Sequence, residues 1–196
     1  MPAANQTHEI PALSLNSFAD IFALHKNSSW KAVYEINVYP NVANSTSMTV
    51  YQMGKNTRTD TAINGINASS YILSGKFYDC VYVRNYWTCV NIPTNSRAVS
   101  DASSLVESDP FKYDFTSDGS MQVAGVSAKC FRSENVSNAD VRYCFSKEGV
   151  ILYQRAGMPN MPGNVTFGVE MKASSYAANV DASVFKLPAI AKNMSD

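Results

Sequence analysis

Four cysteines are the residues of this sequence with the widest choice of chemistry, since a pair can form a disulfide, bind a metal or cycle as a redox couple. Cys80 and Cys89 close the segment CVYVRNYWTC. Strand-forming residues flank Arg84-Asn85, which is typical of a hairpin with a two-residue turn. Such a turn sets the two cysteines opposite each other at a non-hydrogen-bonded pair, with Cα atoms about 4.5 Å apart. This geometry predicts a disulfide.

Cys130 and Cys144 repeat the pattern at a longer spacing. SAKCFRS and DVRYCFS are strand-like, and ENVSN between them is turn-like. We therefore expect a second disulfide, in a register that the longer loop leaves open. A zinc site would need closer cysteine pairs or clustered histidines, and a redox motif would need C-x-x-C. Four free thiols in a reducing compartment remain the alternative.

No other group of residues forms a pattern that predicts catalysis. His8 and His25 stand apart, and the carboxylates are scattered. Ser28 and Lys31 form S-x-x-K without the motifs that accompany it in enzymes. The sequence also lacks a phosphate-binding glycine loop and an H-E-x-x-H motif. We expect a non-enzymatic protein with no metal and no other cofactor.

Charge and sequons bear on the partners and the compartment. The 16 Lys+Arg balance the 16 Asp+Glu, so electrostatics give no reason to expect nucleic acid as a partner. N-x-[ST] sequons in turn-like stretches are candidate glycosylation sites, with asparagine-rich loops without glycans as the alternative. These candidates are Asn27, Asn44, Asn67, Asn135 and Asn164. Disulfides and sequons together predict an extracellular or cell-surface protein.

The start of the chain, MPAANQTHEI, lacks the cationic and apolar regions of a signal peptide. No apolar stretch approaches the length of a membrane span. If the protein is exported, we expect its signal or membrane anchor to lie outside this chain.

The elements that position these residues follow from the hydrophobic period. The period is helical around Phe18, Ile21 and Phe22, and it changes to two from Trp30 onward. About ten strands joined by short turns predict an antiparallel meander, including a hairpin with Asp118-Gly119 at its tip. The fold class is therefore mainly β with an N-terminal helix. A long sheet curls, and the helix's apolar face needs a place on the curled sheet.

Three motifs resemble segments of the LolA/LolB-like lipoprotein-carrier family. The tail NVDASVFKLPA looks like the family's closing segment, V-D-x-x-x-F-x-x-P. YQMGKNTRTD resembles its early hairpin with an arginine, here Arg58, and CFSKEGVIL resembles a strand–turn–strand closed by Gly149. The resemblance covers about residues 13 to 188 and implies a half-open β-barrel over an apolar cavity, with helices as a lid. Members of the family carry or sense acyl chains.

From these observations we expect a loose segment at 1–12, a single LolA-like domain at 13–190 and a tail at 191–196. The predicted function is an exported, monomeric carrier or binding protein for a lipid or other apolar ligand. A cell-surface adhesion or filament module with a filled β core is the alternative. The residues predicted to line the ligand site, which a filled core would also use, are Phe18, Ile21, Phe22, Trp30, Tyr34, Ile36, Met158 and Met161.

Overall fold

The structure of the protein is a computed structural model that describes residues 17–25, 28–40, 45–93, 112–136, 139–158 and 167–193. The side chains of His25, Ile63, Asn135 and Met158 lie outside the description. Within these residues the elements are α1 (Phe18–His25), β1 (Ser29–Tyr39), β2 (Thr46–Met53), β3 (Asn56–Ile63), β4 (Ile66–Leu73), β5 (Lys76–Val83), β6 (Tyr86–Ile92), β7 (Thr116–Val123), β8 (Val126–Val136), β9 (Ala139–Phe145), β10 (Ile151–Met158), β11 (Phe167–Ala178), a 3-10 helix (Ala182–Phe185) and β12 (Ala191–Asn193).

The twelve described strands form a single sheet, where the sequence predicted about ten strands. Their order is β12-β6-β5-β4-β3-β2-β1-β11-β10-β9-β8-β7. Neighbouring strands are antiparallel, except that β12 runs parallel to β6. The pairing of β1 with β11 joins the N-terminal and C-terminal parts of the chain, with Trp30 opposite Ala178 and Tyr39 opposite Gly168. The predicted mainly β class with one α-helix is confirmed for the described residues.

The first predicted disulfide and its hairpin are confirmed. Cys80 and Cys89 are bonded, and their Cα atoms are 4.0 Å apart. All the residue pairs between them have the predicted register. Arg84 and Asn85 both have positive φ, 52° and 69°, as a type I′ turn requires. The turn chemistry and the cysteines thus specify the same pairing.

The sheet rolls up at its β7 end. Cα atoms of β7 and β11 come within 8 Å of each other, although β8, β9 and β10 lie between them. In a flat sheet four strand spacings would separate them by about 19 Å. The second predicted disulfide, Cys130–Cys144, is present and is buried in this β7–β11 roll with Val123 and Ala128. The two cysteines face each other directly, which fixes the register that the sequence left open.

The last three residues of strand β9 are buried on both faces of the sheet. Tyr143, Cys144 and Phe145 are consecutive, so they alternate between faces, yet each is at most 1% exposed. The disulfide occupies one face, and α1 packs on the other through Phe18 and Phe22. The sheet therefore has a filled core on each side of β9.

The helical lid that the sequence predicted over the sheet is not seen. No described α-helix lies over β2–β6, where the only described helical segment is the short 3-10 helix Ala182–Phe185, and α1 packs on β8, β9 and β10 instead. Aromatic side chains on β8 and β9 give the apolar face of α1 a matching surface there. The eight residues of α1 span about 12 Å, which is too short to cover the remaining strands as well.

The prediction of a hairpin tip at Asp118-Gly119 is wrong. These residues lie inside β7, at an irregularity of the β7–β8 pairing between Ser117 and Ser120. The turn lies at Ala124-Gly125 instead, where both φ angles are positive. Cross-strand pairing in the buried part of this hairpin sets the register. The irregularity leaves Asp118 out of the regular pairing with β8.

Residues 181–193, here called the C-terminal strap, cross one face of β3–β6. The strap begins with the 3-10 helix, whose Asp181 carboxylate accepts a 2.7 Å hydrogen bond from the backbone N–H of Ser183. Arg58 donates a 2.8 Å hydrogen bond to the carbonyl of Val184. Apolar strap residues then pack on the first disulfide, namely Leu187, Ala189 and Ala191. The predicted tail at 191–196 thus starts with a strand, β12, that covers the edge of β6.

Candidate functional site

Strands β4, β5 and β6 have one face under the strap and one face that the strap does not cover. Along β5, Tyr78 and Cys80 point toward the strap, so Phe77, Val81 and Val83 point the other way. We call the second face the open face. Its apolar residues on the three strands are Ile66, Ala68, Ile72, Phe77, Val81, Val83, Tyr86, Val90 and Ile92. Polar residues interrupt it at Ser70, Asp79 and Thr88.

The open face exposes large apolar side chains. Ile66 is 50% exposed, Val81 36%, Val83 45% and Tyr86 58%. An antiparallel sheet with one filled face usually carries polar residues on the other. Large exposed apolar surfaces are typical of places where a ligand or a partner binds. The open face is therefore the candidate binding surface.

The open face continues into the core of the protein along one row of residues. Tyr34, Met48, Thr61, Ala68 and Val81 face one another in turn on five adjacent strands, so all point to the same side. Exposure rises along this row from 1% at Tyr34 to 36% at Val81. A ligand on the open face would therefore meet a buried wall at β1.

Tyr34 anchors this wall. Its hydroxyl donates a 2.7 Å hydrogen bond to the carbonyl of Ile151 on β10. Burial, together with the nearby Tyr176, raises the pKa of Tyr34 above its ordinary value. Tyr34 therefore stays protonated and keeps its donor across the physiological pH range.

The residues predicted to line a ligand site fall into two groups. Trp30, Tyr34 and Ile36 lie on β1, on the same face of the sheet as Val81. Trp30 and Tyr34 are buried, and Ile36 is half-buried. The helix residues Phe18, Ile21 and Phe22 are buried away from β4–β6, against β8–β10. The backbone of Met158 ends β10, whereas its side chain and Met161 lie outside the described residues. Contact of any of them with a ligand stays a prediction.

The open-face residues of β4–β6 were missed in the sequence analysis. A signal was available in β5, where both alternating sets of KFYDCVYV contain large apolar residues. A strand with water on one face would show polar residues in one of the two sets. Because neither set in this strand is clearly polar, the pattern predicts apolar residues on both of its faces.

A pocket of about 340 Å³ lies among residues of β7 to β10, in the β7–β11 roll. Its lining is polar and consists of Asp118, Arg132, Asp140, Arg142, Tyr153 and Arg155. We call it the arginine pocket. Part of this pocket is recognisable in the sequence. Arg132 follows Cys130 by two residues, in CFR, and Arg142 precedes Cys144 by two residues, in RYC. Once the cysteines pair, the two arginines must face each other.

Ion pairs and one tyrosine shape the arginine pocket. The guanidinium of Arg132 contacts both carboxylate oxygens of Asp140, at 2.7 and 3.0 Å. The irregularity in β7 brings Asp118 across β8, so that its Oδ2 lies 2.6 Å from Nε of Arg142. The Tyr153 hydroxyl donates a 2.9 Å hydrogen bond to Glu170. Burial and this bond raise the pKa of Tyr153 to about 12.

The disulfides bear on the compartment more directly than the candidate glycosylation sites do. Asn67 is exposed near the start of β4, while the side chains of the remaining candidate sites lie outside the described residues. The two disulfides indicate an oxidising environment. Within the described part of the chain, no helix has the length and apolar character needed to cross a membrane.

No protein-family model matches the chain, and no curated protein matches its sequence significantly. Solved structures do match. The chain is similar to an uncharacterized conserved protein from Thermus thermophilus, with 13% identity, coverage of 90% of this chain and 95% of that one, and a TM-score of 0.55. It is also similar to MucB in complex with MucA(peri), with 12% identity and a TM-score of 0.50. That match covers 81% of this chain and 53% of the MucB chain.

The chain has the fold of these proteins. At such low identity, the likeness shows the fold and nothing finer. The matched structures also include a LolA superfamily protein from Nitrosomonas europaea, the family that the sequence motifs resemble. That match has 9% identity, coverage of 86% of this chain and 97% of the other, and a TM-score of 0.40.

Proposed function

We propose that this protein is an exported, non-enzymatic binding protein that holds an apolar ligand, the acyl chain of a lipid, against its open face. The observation that supports this most strongly is the contrast between the two faces of β4–β6. The strap fills one face, so burial under the strap does not account for the apolar residues on the other. A ligand with hydrocarbon chains would remove Ile66, Val81 and Val83 from water.

The energetics suit such a ligand. Removing one methylene group from water contributes about 0.8 kcal/mol. Eight methylenes laid across the open face would contribute roughly 6 kcal/mol before the entropy cost of association. The buried wall at Tyr34 would end the surface on one side and limit the chain length that fits.

A protein partner is the second candidate. MucB, which has a similar fold, is recorded in complex with MucA(peri). An apolar surface of this kind would also bind an apolar segment of a polypeptide. In that case the protein is an interaction module, and its filled cores under α1 and within the roll serve only as scaffold.

A lysine on the open face tests the proposal. Val81→Lys places a charge in the middle of this surface, at a side chain that is already 36% exposed, so the fold should tolerate it. We expect the affinity for a fluorescent fatty acid to fall at least about tenfold, equivalent to about 1.4 kcal/mol. Ile190→Lys is the matched control, because Ile190 is apolar, 94% exposed and outside the open face.

Equal loss of binding in both lysine variants, or no fatty-acid binding by the wild type, would end the lipid proposal. Native mass spectrometry of the purified protein gives an independent measurement, since a retained lipid adds a discrete mass that Val81→Lys should remove. If the wild type retains no lipid but captures an apolar peptide in a Val81-dependent way, the protein-partner candidate is supported instead.

A further inference from the structure

Three arginines stand in one row across the β7–β11 roll. Arg132 on β8 faces Arg142 on β9, and Arg142 in turn faces Arg155 on β10. Like charges directly opposite on neighbouring strands repel each other. Without neighbouring negative charges this row of arginines would destabilise the sheet. The charges that surround each arginine therefore show which of them is left without a counter-charge.

Carboxylates balance two of the three arginines. Asp140 holds Arg132 and Asp118 holds Arg142, at 2.7 and 2.6 Å. Among the described residues, no carboxylate lies within 4.0 Å of a nitrogen of Arg155. Its cross-strand neighbour Glu170 accepts the hydrogen bond from the Tyr153 hydroxyl. The six lining residues therefore carry a surplus of one positive charge, while Glu170 and Glu134 lie beside the pocket, Glu134 at 3.4 Å from Arg132.

The pocket also contains a donor without a well-aligned acceptor. Nε of Arg142 is buried and makes no hydrogen bond of good geometry, although the Asp118 carboxylate is near. The short distance makes this contact an ion pair, and a terminal nitrogen of Arg142 also donates a 3.4 Å hydrogen bond to the Asp118 carbonyl.

We propose that the arginine pocket binds a phosphate-type anion between Arg155 and Arg142. A guanidinium presents its N–H groups in a planar fork that matches the oxygens of a phosphate group. The group can come from free inorganic phosphate or from the headgroup of a phospholipid, whose chemistry is the same at this contact. On β9, Arg142 lies between Val141 and Tyr143, which pack toward α1, so the pocket opens on the other face. The proposal is independent of ligand binding at the open face.

Variants that remove either a positive or a negative charge from the arginine pocket test this site. Binding of inorganic phosphate is measured by calorimetry at constant ionic strength, with chloride as the reference anion. Arg155→Gln removes the surplus charge and should weaken binding at least tenfold. Asp118→Asn removes a competing carboxylate and should strengthen binding several-fold, an effect that loss of structure would not produce. Arg84→Gln, at the exposed β5–β6 turn, is the control and should leave binding unchanged.

A second arm separates the two sources of the anion. Vesicles of phosphatidylcholine with and without phosphatidic acid are sedimented with the wild type and with Arg155→Gln. Arg155-dependent binding to the phosphatidic acid vesicles assigns the site to a headgroup, and Arg155-dependent binding of phosphate alone assigns it to the free ion. The proposal is overturned if neither probe binds better than its reference, or if Arg155→Gln and Arg84→Gln weaken binding equally.

Discussion

At the scale of single residues, Tyr34 links two parts of the sheet. Its ring lies in the core row of β1, and its hydroxyl reaches the carbonyl of Ile151, two strands away. Ile151 begins β10 beside an irregularity of the β9–β10 pairing, between Ile151 and Tyr153. The tyrosine therefore supplies a donor at a place where regular strand pairing is interrupted.

Tyr34→Phe should lower the free energy of unfolding by about 1 kcal/mol or somewhat more, since it leaves a buried carbonyl without this donor. Tyr176→Phe is the matched control: its hydroxyl makes a longer contact, 3.4 Å, with Glu148 at a half-buried position. Urea unfolding of both variants measures the difference. An equal effect of the two substitutions would contradict the role given to the Tyr34 hydroxyl.

Tyr153 predicts how stability depends on alkaline pH. Its pKa rises from 10.0 to about 12 in the folded protein, so folding favours the protonated phenol. Its contribution is complete below pH 10 and is lost as the pH rises from 10 toward 12. The thermal unfolding midpoint of the wild type should fall over this pH range, and the midpoint of Tyr153→Phe should fall less steeply. Equal slopes for the variant and the wild type would show that Tyr153 is not responsible.

At the scale of elements, two disulfide-linked hairpins organise opposite ends of the sheet. Cys80–Cys89 lies under the strap, whereas Cys130–Cys144 lies within the roll. Both pairings were predictable from sequence, because turn residues and strand propensity act over a few neighbours. The position of α1 was not predictable in this way. It depends on which strands lie beside β1, and that follows from the distant pairing with β11.

Removing each disulfide should affect a different end of the molecule. Replacing both Cys130 and Cys144 with alanine should cost about 3 kcal/mol of unfolding free energy through the denatured state. Replacing both Cys80 and Cys89 should also speed proteolysis of the strap, which packs on that disulfide. Peptide mapping after limited proteolysis measures the second effect. Equal cleavage of the strap in both double variants would contradict the separate roles.

At the scale of the whole molecule, the sequence predicted the mainly β class, the N-terminal helix and both disulfides. Its expectation for Asp118-Gly119 failed, because Asp-Gly favours a turn locally while pairing across the β7–β8 hairpin moves the turn to Ala124-Gly125. The arginine pocket required the roll, which brings side chains from β7 to β10 together. Residue propensities and the hydrophobic period identify strands, but they do not predict how far the sheet that the strands form will curve.

The place of β1 at the centre of the sheet affects how a newly made chain folds. β2 follows β1 closely along the chain and can pair with it early, but β11 emerges after every other antiparallel strand. Until then, one edge of β1 has unsatisfied backbone groups through most of synthesis, a known route to intermolecular strand exchange. Slow translation would prolong this exposed interval, so we expect the yield of correctly folded protein to depend on the time between the synthesis of β1 and that of β11.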